Sequence, residues 1–258
     1  MTRRGGAALF AAVVLFCLLT PLLSPHDPYR PDLARVLLPP SAEHWLGTDQ
    51  AGRDLLTRTA AAGRASLLFA LTVTAVTTVL GSAAGAVAGL ARGRPDRLLG
   101  FAAMGALAVP GLTLALALTG VMGAGYGTLL AALVPLGWVS CALAVRTAVR
   151  QAAAADYVQA TRSIGASGFY LLRRAIAPQV IGPALTVASG DTGRMLAAAT
   201  SLSFLGVGPP PPDVDWGGMV NEAVPLLVAA PQLALAPALA LTVTGLAIAL
   251  MADALRGV

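Results

Sequence analysis

Ser66-Leu67-Leu68-Phe69-Ala70-Leu71-Thr72-Val73-Thr74-Ala75-Val76-Thr77-Thr78-Val79-Leu80-Gly81-Ser82-Ala83-Ala84-Gly85-Ala86-Val87-Ala88-Gly89-Leu90-Ala91 is the stretch that decides the fold. It contains no charged residue. A helix needs roughly 20 apolar residues to cross a hydrocarbon core about 30 Å thick, and this run is longer than that. It is also far too long for a buried strand, so it reads as a membrane-spanning helix. Gly81, Gly85 and Gly89 recur at four-residue steps along one face, a spacing that lets a second helix backbone approach closely.

The rest of the chain agrees. Of 258 residues, 57% are hydrophobic and 11% charged, whereas soluble domains are about half apolar and about a quarter charged. So few charges cannot cover a surface in water, and lipid is the expected solvent. Apolar runs at 7–23, 98–122, 128–149, 180–204 and 233–255 bring the expected number of spans to about six. Pro110 and Pro237 fall inside two of them, where a membrane helix tolerates a kink. The first run follows Arg3 and Arg4 as a signal peptide would. Leu22-Leu23-Ser24-Pro25 offers no small-x-small cleavage site, so this helix is expected to be retained. The expected organisation is an N-terminal transmembrane helix in 1–24, an extracytoplasmic segment in 25–65, and a five-helix core in 66–258.

Every one of the 17 basic residues is arginine, and their placement orients the chain. With the N-terminus inside, the inner segments hold Arg3, Arg4, Arg92, Arg94, Arg97, Arg146, Arg150, Arg162, Arg173, Arg174 and Arg256. The outer ones hold Arg30, Arg35, Arg53, Arg58 and Arg64, matched by Asp27, Asp32, Glu43, Asp49 and Asp54. The outer stretches 123–127 and 203–232 contain no arginine. This bias predicts both termini in the cytoplasm and a multi-pass protein of the cell membrane. The net charge of +5 does not mark a nucleic-acid binder, because the arginines are scattered through short loops without interleaved aromatics.

Without a lysine the pattern GxxxxGK[ST] cannot be written, so this chain does not bind ATP by that device. HExxH and GxSxG are absent as well, and no catalytic residue is expected. Cys17 and Cys141 lie inside apolar runs and read as packing residues. His26 and His44 both lie in the first outer segment, away from any carboxylate cluster in metal-ligand spacing, so no metal site is expected.

The most informative polar stretch is Asp156-Tyr157-Val158-Gln159-Ala160-Thr161-Arg162-Ser163-Ile164-Gly165-Ala166-Ser167-Gly168-Phe169-Tyr170-Leu171-Leu172-Arg173-Arg174-Ala175-Ile176-Ala177-Pro178, within the inner loop 150–178. Its first part predicts a short helix, and Gly165 allows a turn with positive φ. Phe169, Leu172 and Ile176 then recur at helical spacing with Arg173 and Arg174 on another side, and Pro178 is expected to end this second helix. On physics alone, the loop is either an amphipathic element resting on anionic lipid or a docking device.

This loop resembles the EAA loop of binding-protein-dependent ABC importer permeases. In that family a Glu-Ala-Ala triplet is followed after three residues by a glycine, and later by a proline. Gln159, Ala160 and Thr161 stand at the triplet, Gly165 at the glycine, and Ile176 and Pro178 at the close. The triplet departs in its acid and its second alanine, and Ala177 replaces the closing leucine. Two further stretches resemble the dipeptide, oligopeptide and nickel group of these permeases. They are His44-Trp45-Leu46-Gly47-Thr48-Asp49-Gln50-Ala51-Gly52-Arg53-Asp54-Leu55-Leu56-Thr57-Arg58, and Ser201-Leu202-Ser203-Phe204-Leu205-Gly206-Val207-Gly208 with Pro211-Pro212 and Trp216-Gly217. The GTDxxGRD segment points to the second of that group's two permease types.

The resemblance implies an all-α, type I importer permease that carries peptides, or else nickel or a metal chelate. The implied partners are a second permease, two ATPase subunits that hold ATP and magnesium, and an extracytoplasmic solute-binding protein. No cofactor is implied in this chain. It makes Gln159, Ala160, Thr161, Gly165, Arg173, Arg174 and Pro178 the ATPase-coupling loop. Asp49, Arg53, Asp54, Asp213, Asp215 and Glu222 become candidates for docking the binding protein, although Asp49 or Asp54 also suits a helix cap. Relatives often carry an acid shortly before SLSFLG, where this chain has Ala197, Ala198 and Ala199.

Asp191 and Arg194, three residues apart within the run 180–204, share a helical face and can pair. Ionised groups at that depth are costly unless paired or hydrated, so they either form a structural pair or line the solute path. The competing classes are an ATP-independent secondary transporter or channel, for which an inverted repeat is expected, and a membrane scaffold without transport.

Overall fold

A computed structural model describes residues 3–91, 93–167 and 170–256. Arg92, Gly168 and Phe169, named above, lie outside the described residues. The described chain is helical apart from its loops and one isolated antiparallel bridge between Thr48 and Asp54. In order come α1 (Arg3–Leu23), α2 (Leu55–Ala91), α3 (Arg94–Ala108), α4 (Gly111–Met122), α5 (Tyr126–Ala154), α6 (Asp156–Ser163), α7 (Ala177–Phe204), α8 (Trp216–Ala223) and α9 (Gln232–Arg256).

Four helices are long and apolar enough to cross a membrane: Gly5–Leu23, Leu55–Ala91, Tyr126–Ala154 and Gln232–Ala254. A fifth crossing arises if α3 and α4, bent by 78° to one another, count as one. Two of the six expected runs, 98–122 and 180–204, take a different form. Pro110 does more than kink the run 98–122. It lacks an N–H and pushes Val109 to an extended conformation (φ −86°, ψ 120°), so the helix breaks into two. The run 180–204 lies in α7, whose 28 residues are long enough for a crossing at about 1.5 Å per residue. Asp191, Arg194 and its many Gly, Ser and Thr residues make it too polar for a lipid-bathed span.

Helix α2 also starts well before the expected 66, at Leu55. Asp54 Oδ2 accepts from the Thr57 N–H at 2.9 Å, which satisfies one of the free donors of the first turn. Nothing between 55 and 65 breaks a helix, so the helix begins within the stretch read as the outer segment.

Gly81, Gly85 and Gly89 of α2 face α5. A Cβ on Gly85 would lie 2.3 Å from the Ala142 carbonyl oxygen, and one on Gly81 would lie 2.6 Å from that of Trp138. Gly89 meets Val149 in the same way. The glycine spacing therefore builds an intrachain seam in which the two backbones touch. Gly85→Val is expected to separate α2 from α5 and lower the thermal midpoint in detergent, at a cost of about 1–3 kcal/mol for overpacking. An unchanged midpoint would remove the seam from the stability argument.

Helix α1 packs on α9 and α2, while α7 lies against α5, α2 and α9. Cys17 and Cys141 are buried packing residues, as expected. At the N-terminal end of α3, Asp96 bridges Arg146 and Arg150 of α5 at 2.5 and 2.6 Å. Helix α3 buries only Leu99 and Ala103 while exposing Leu98, Phe101, Met104 and Leu107, the inverse of a soluble helix.

Candidate functional site

Three clusters hold the residues that carry chemistry. The first is the outer segment. Gly47 and Gly52 have φ of +81° and +75°, and a Cβ at Gly52 would sit 1.7 Å from the Asp32 carbonyl oxygen, so glycine is required. Between them, Asp49 Oδ1 accepts the N–H groups of Ala51 (2.8 Å) and Arg53 (3.0 Å) and closes the loop. Its other oxygen accepts from Arg53 Nε at 2.8 Å and Arg58 Nη1 at 2.9 Å. Arg58 then forks onto Glu222 of α8 (2.8 and 3.1 Å), and Gln50 reaches the same carboxylate at 3.0 Å. One chain of charge-assisted bonds thus ties the outer loop, the first turn of α2 and α8 together.

A second tie runs through α8. Asp215 caps it, accepting from the Gly218 N–H at 2.7 Å and from the Ser203 hydroxyl at 2.5 Å. Burial pushes the Asp215 carboxyl above its ordinary range, and bonds from Ser203, Gly218 and Gly217 pull it back. Trp216 is fully buried, donating from Nε1 to the Thr59 carbonyl at 2.9 Å and from its backbone to Ser66 Oγ at 3.1 Å. A Cβ on Gly63 would strike both the Trp216 ring and Cys17 Sγ, so the indole fills the junction of α1, α2 and α8.

These contacts revise the docking assignment. Asp49, Arg53, Asp54 and Asp215 are buried and bonded within the chain, and Glu222 is half-buried and paired. A buried carboxylate bonded to an internal arginine, as in Asp49, or to His44 or Ser203, as in Asp54 and Asp215, cannot meet a partner without giving up those bonds. Asp213 alone of the six is exposed. Arg58, the hub of the first tie, was not among the expected site residues. Its only signal was an arginine in a segment whose acids and bases balance.

The histidines also depart from expectation. His26, His44 and Asp54 bring one donor atom each within 4.8 Å of one another. His44 Nδ1 lies 2.9 Å from Asp54 Oδ1, and His44 Nε2 lies 3.3 Å from Arg35 Nη1. Arginine can only donate, so Nε2 accepts and the Nδ1–H points at Asp54. Arg35 also pairs with Asp32 and Glu43, and the cluster thereby contains its own cation.

The second cluster is the inner loop. Helix α6 ends in a Schellman turn: Gly165 has φ +85°, and the Ala166 N–H donates to the Thr161 carbonyl at 3.3 Å. This explains why the triplet and the glycine keep a fixed distance, since Thr161 supplies the carbonyl that the turn closes on. Gln159 Nε2 donates at 3.0 Å to the Ala153 carbonyl at the end of α5. An ionised glutamate has no proton to give there, so the departure from the triplet provides a cap.

The expected stop at Pro178 is corrected. A π turn, Leu171–Ile176, runs straight into α7, with Pro178 in the first turn of that helix. Where the bonding pattern changes from π to α, the N–H that proline lacks is not missed. Val158, Leu171 and Ile176 are buried, Ile176 in a cluster with Val145, Val149 and Ala152 of α5. Gln159, Ala160, Arg173, Arg174 and Pro178 face outward, joined by Tyr157, Ile164 and Tyr170. The loop is therefore anchored to α5, continuous with α7, and presents aromatic, apolar and basic groups.

The third cluster is Asp191 and Arg194. Asp191 is buried, whereas the Arg194 side chain is 60% exposed, with Nη1 at 3.2 Å from Asp191 Oδ1 and 3.4 Å from Ser140 Oγ of α5. The pair forms as the spacing predicted, with its anion inside and its cation outside.

Comparison with known proteins places these features in context. Residues 81–258 match the family model described as "Binding-protein-dependent transport system inner membrane component". The chain is 35% identical to the dipeptide transport system permease protein DppC of Bacillus subtilis (strain 168), over 86% of this chain and 70% of that one. It is 35% identical to the glutathione transport system permease protein GsiD of Pectobacterium atrosepticum, over 84% and 72%. The nickel transport system permease protein NikC of Escherichia coli (strain K12) is 34% identical, over 96% and 90%.

Proposed function

The chain belongs to the binding-protein-dependent transport system inner membrane components, and from that premise we propose that it is one permease subunit of an ATP-driven importer of small peptides. It pairs with a second permease, receives solute from an extracytoplasmic binding protein, and is driven by two ATPase subunits that hold ATP and magnesium. Both termini lie in the cytoplasm, together with the loop from Asp156 to Pro178.

The observation that carries this reading is the rigid connection of that loop. Helix α6 is tied to the end of α5 through Gln159 and buries Val158, Ile176 packs on α5, and the π turn continues into α7 without a break. A push on the exposed face of Gln159, Ala160, Thr161, Gly165, Arg173, Arg174 and Pro178 therefore moves α7 as a lever, because a packed helix shifts as a body. Helix α7 is the most polar of the long helices and carries Asp191 and Arg194, which suits a wall of the solute path. The outer ties through Arg58 and Trp216 hold the opposite ends of α2 and α8. Of the six docking candidates, Asp213 remains exposed and available to the binding protein.

Co-purification tests the proposal. Co-expressed with its genomic neighbours and extracted in detergent, the chain is expected to bring down a second permease and an ATPase, with hydrolysis stimulated by loaded binding protein. Recovery alone, with solute flux in its own liposomes, would favour a secondary carrier or channel.

A further inference from the structure

Resting on the permease reading, we infer that Arg194 recognises the carboxylate of the passing solute, so that this chain selects carboxylate-bearing peptides and rejects free divalent metal cations. The charge pair is polarised across the helix. The Asp191 side chain is 7% exposed and that of Arg194 is 60% exposed, so the open face shows a guanidinium whose counter-ion is shielded behind it. Lipid is a poor surrounding for that face, since an exposed arginine at mid-helix is costly in hydrocarbon. Among the described residues both polar contacts of Arg194 are made by Nη1, to Asp191 and Ser140, which leaves the other arm of the fork for a carboxylate oxygen.

Room exists beside it. Gly190 one turn before Arg194, Ala197 one turn after it and Ser201 two turns after it lie on the same face of α7, and these small residues are at least partly open. A metal cation meets the opposite chemistry. Asp191 is the only acid in α7, and α2 and α5 contain none, so no second carboxylate from these helices joins it to hold a divalent ion. The guanidinium in front of it repels one.

The test uses the whole importer in proteoliposomes, with its partner permease, ATPases and binding protein, and compares uptake of Ala-Ala, its C-terminal amide and Ni²⁺. Arg194→Gln is expected to cut Ala-Ala uptake about tenfold, as loss of a charge-assisted bond would, and to lower amide uptake much less, so that the acid-to-amide ratio falls. Arg194→Lys is expected to restore part of the preference. Because the binding protein is the same throughout, a changed acid-to-amide ratio belongs to the permease. An unchanged ratio in Arg194→Gln overturns the inference, as does Ni²⁺ uptake exceeding peptide uptake in the unmutated importer. Loss of the second permease from purified Arg194→Gln also overturns it and makes Arg194 an interface residue. Absence of all uptake by the unmutated assembly overturns the permease reading itself.

Discussion

Arg58→Met is expected to leave little folded protein. The Arg58 side chain is 3% exposed and holds two carboxylates, Asp49 at 2.9 Å and Glu222 at 2.8 Å. Methionine fills most of the space but leaves buried Asp49 with Arg53 as its one ion-pair partner and Glu222 with only Gln50 and the more distant Arg53. Breaking a buried pair on one side costs about 3–5 kcal/mol, a large part of the roughly 5–15 kcal/mol that holds a domain together. Fluorescence-detected size exclusion and a thermal midpoint in detergent measure the effect. Arg58→Lys keeps the charge but cannot fork onto Glu222 while reaching Asp49, so an intermediate midpoint is expected. Glu222→Gln in the Arg58→Met background removes the acid left with the weaker pairing, lets Asp49 keep Arg53 to itself, and should recover part of the loss. Equal midpoints for Arg58→Met and the parent would show that the outer ties do not set stability.

The second large effect is expected at the inner loop. Gly165→Pro cannot reach φ +85°, since proline is fixed near −65°, and the Schellman turn that closes on Thr161 is lost. Space is not the obstacle, because nothing lies within 4 Å of a Cβ there. Transport should fall to background while the protein still inserts and its partners still hydrolyse ATP. Gly165→Ala pays only about 1–2 kcal/mol for the left-handed conformation and should keep partial coupling. Charge reversal of Arg173 and Arg174 together tests the same face without touching the backbone. Coupled transport at parental rate in both Gly165→Pro and the double reversal would end the docking-loop proposal.

The residue pattern alone reached the class of protein through mechanisms that act along the chain. Apolar runs needed no partner to be read, because lipid demands length and hydrophobicity from each helix by itself. Gly81, Gly85 and Gly89 marked a seam, and Asp191 and Arg194 a pair, because both features depend on helical periodicity. The spacing of Thr161 and Gly165 was legible for the same reason, since a Schellman turn is local.

What stayed hidden depended on partners distant in sequence. His26 and His44 were expected away from any carboxylate cluster, yet the fold brings Asp54 to them and closes the group with Arg35. Asp49 and Asp215 read as docking candidates because short-range pattern cannot reveal the arginine or hydroxyl that binds them inside the chain. Pro178 read as a stop because a proline in a regular helix is one, whereas the π turn before it absorbs the missing donor.

The sequence by itself determined that this chain lives in a membrane as a bundle of helices, with a glycine-hinged helical loop between two of them. Those properties follow from composition, period and local backbone preference. Tertiary structure alone decided that the outer motif is an internal clamp, that the inner loop is welded to α7, and that Arg194 shows its charge while Asp191 hides its own. Burial and pairing are set by which helices meet, and that information is spread over residues more than a hundred positions apart, as between Arg58 and Glu222.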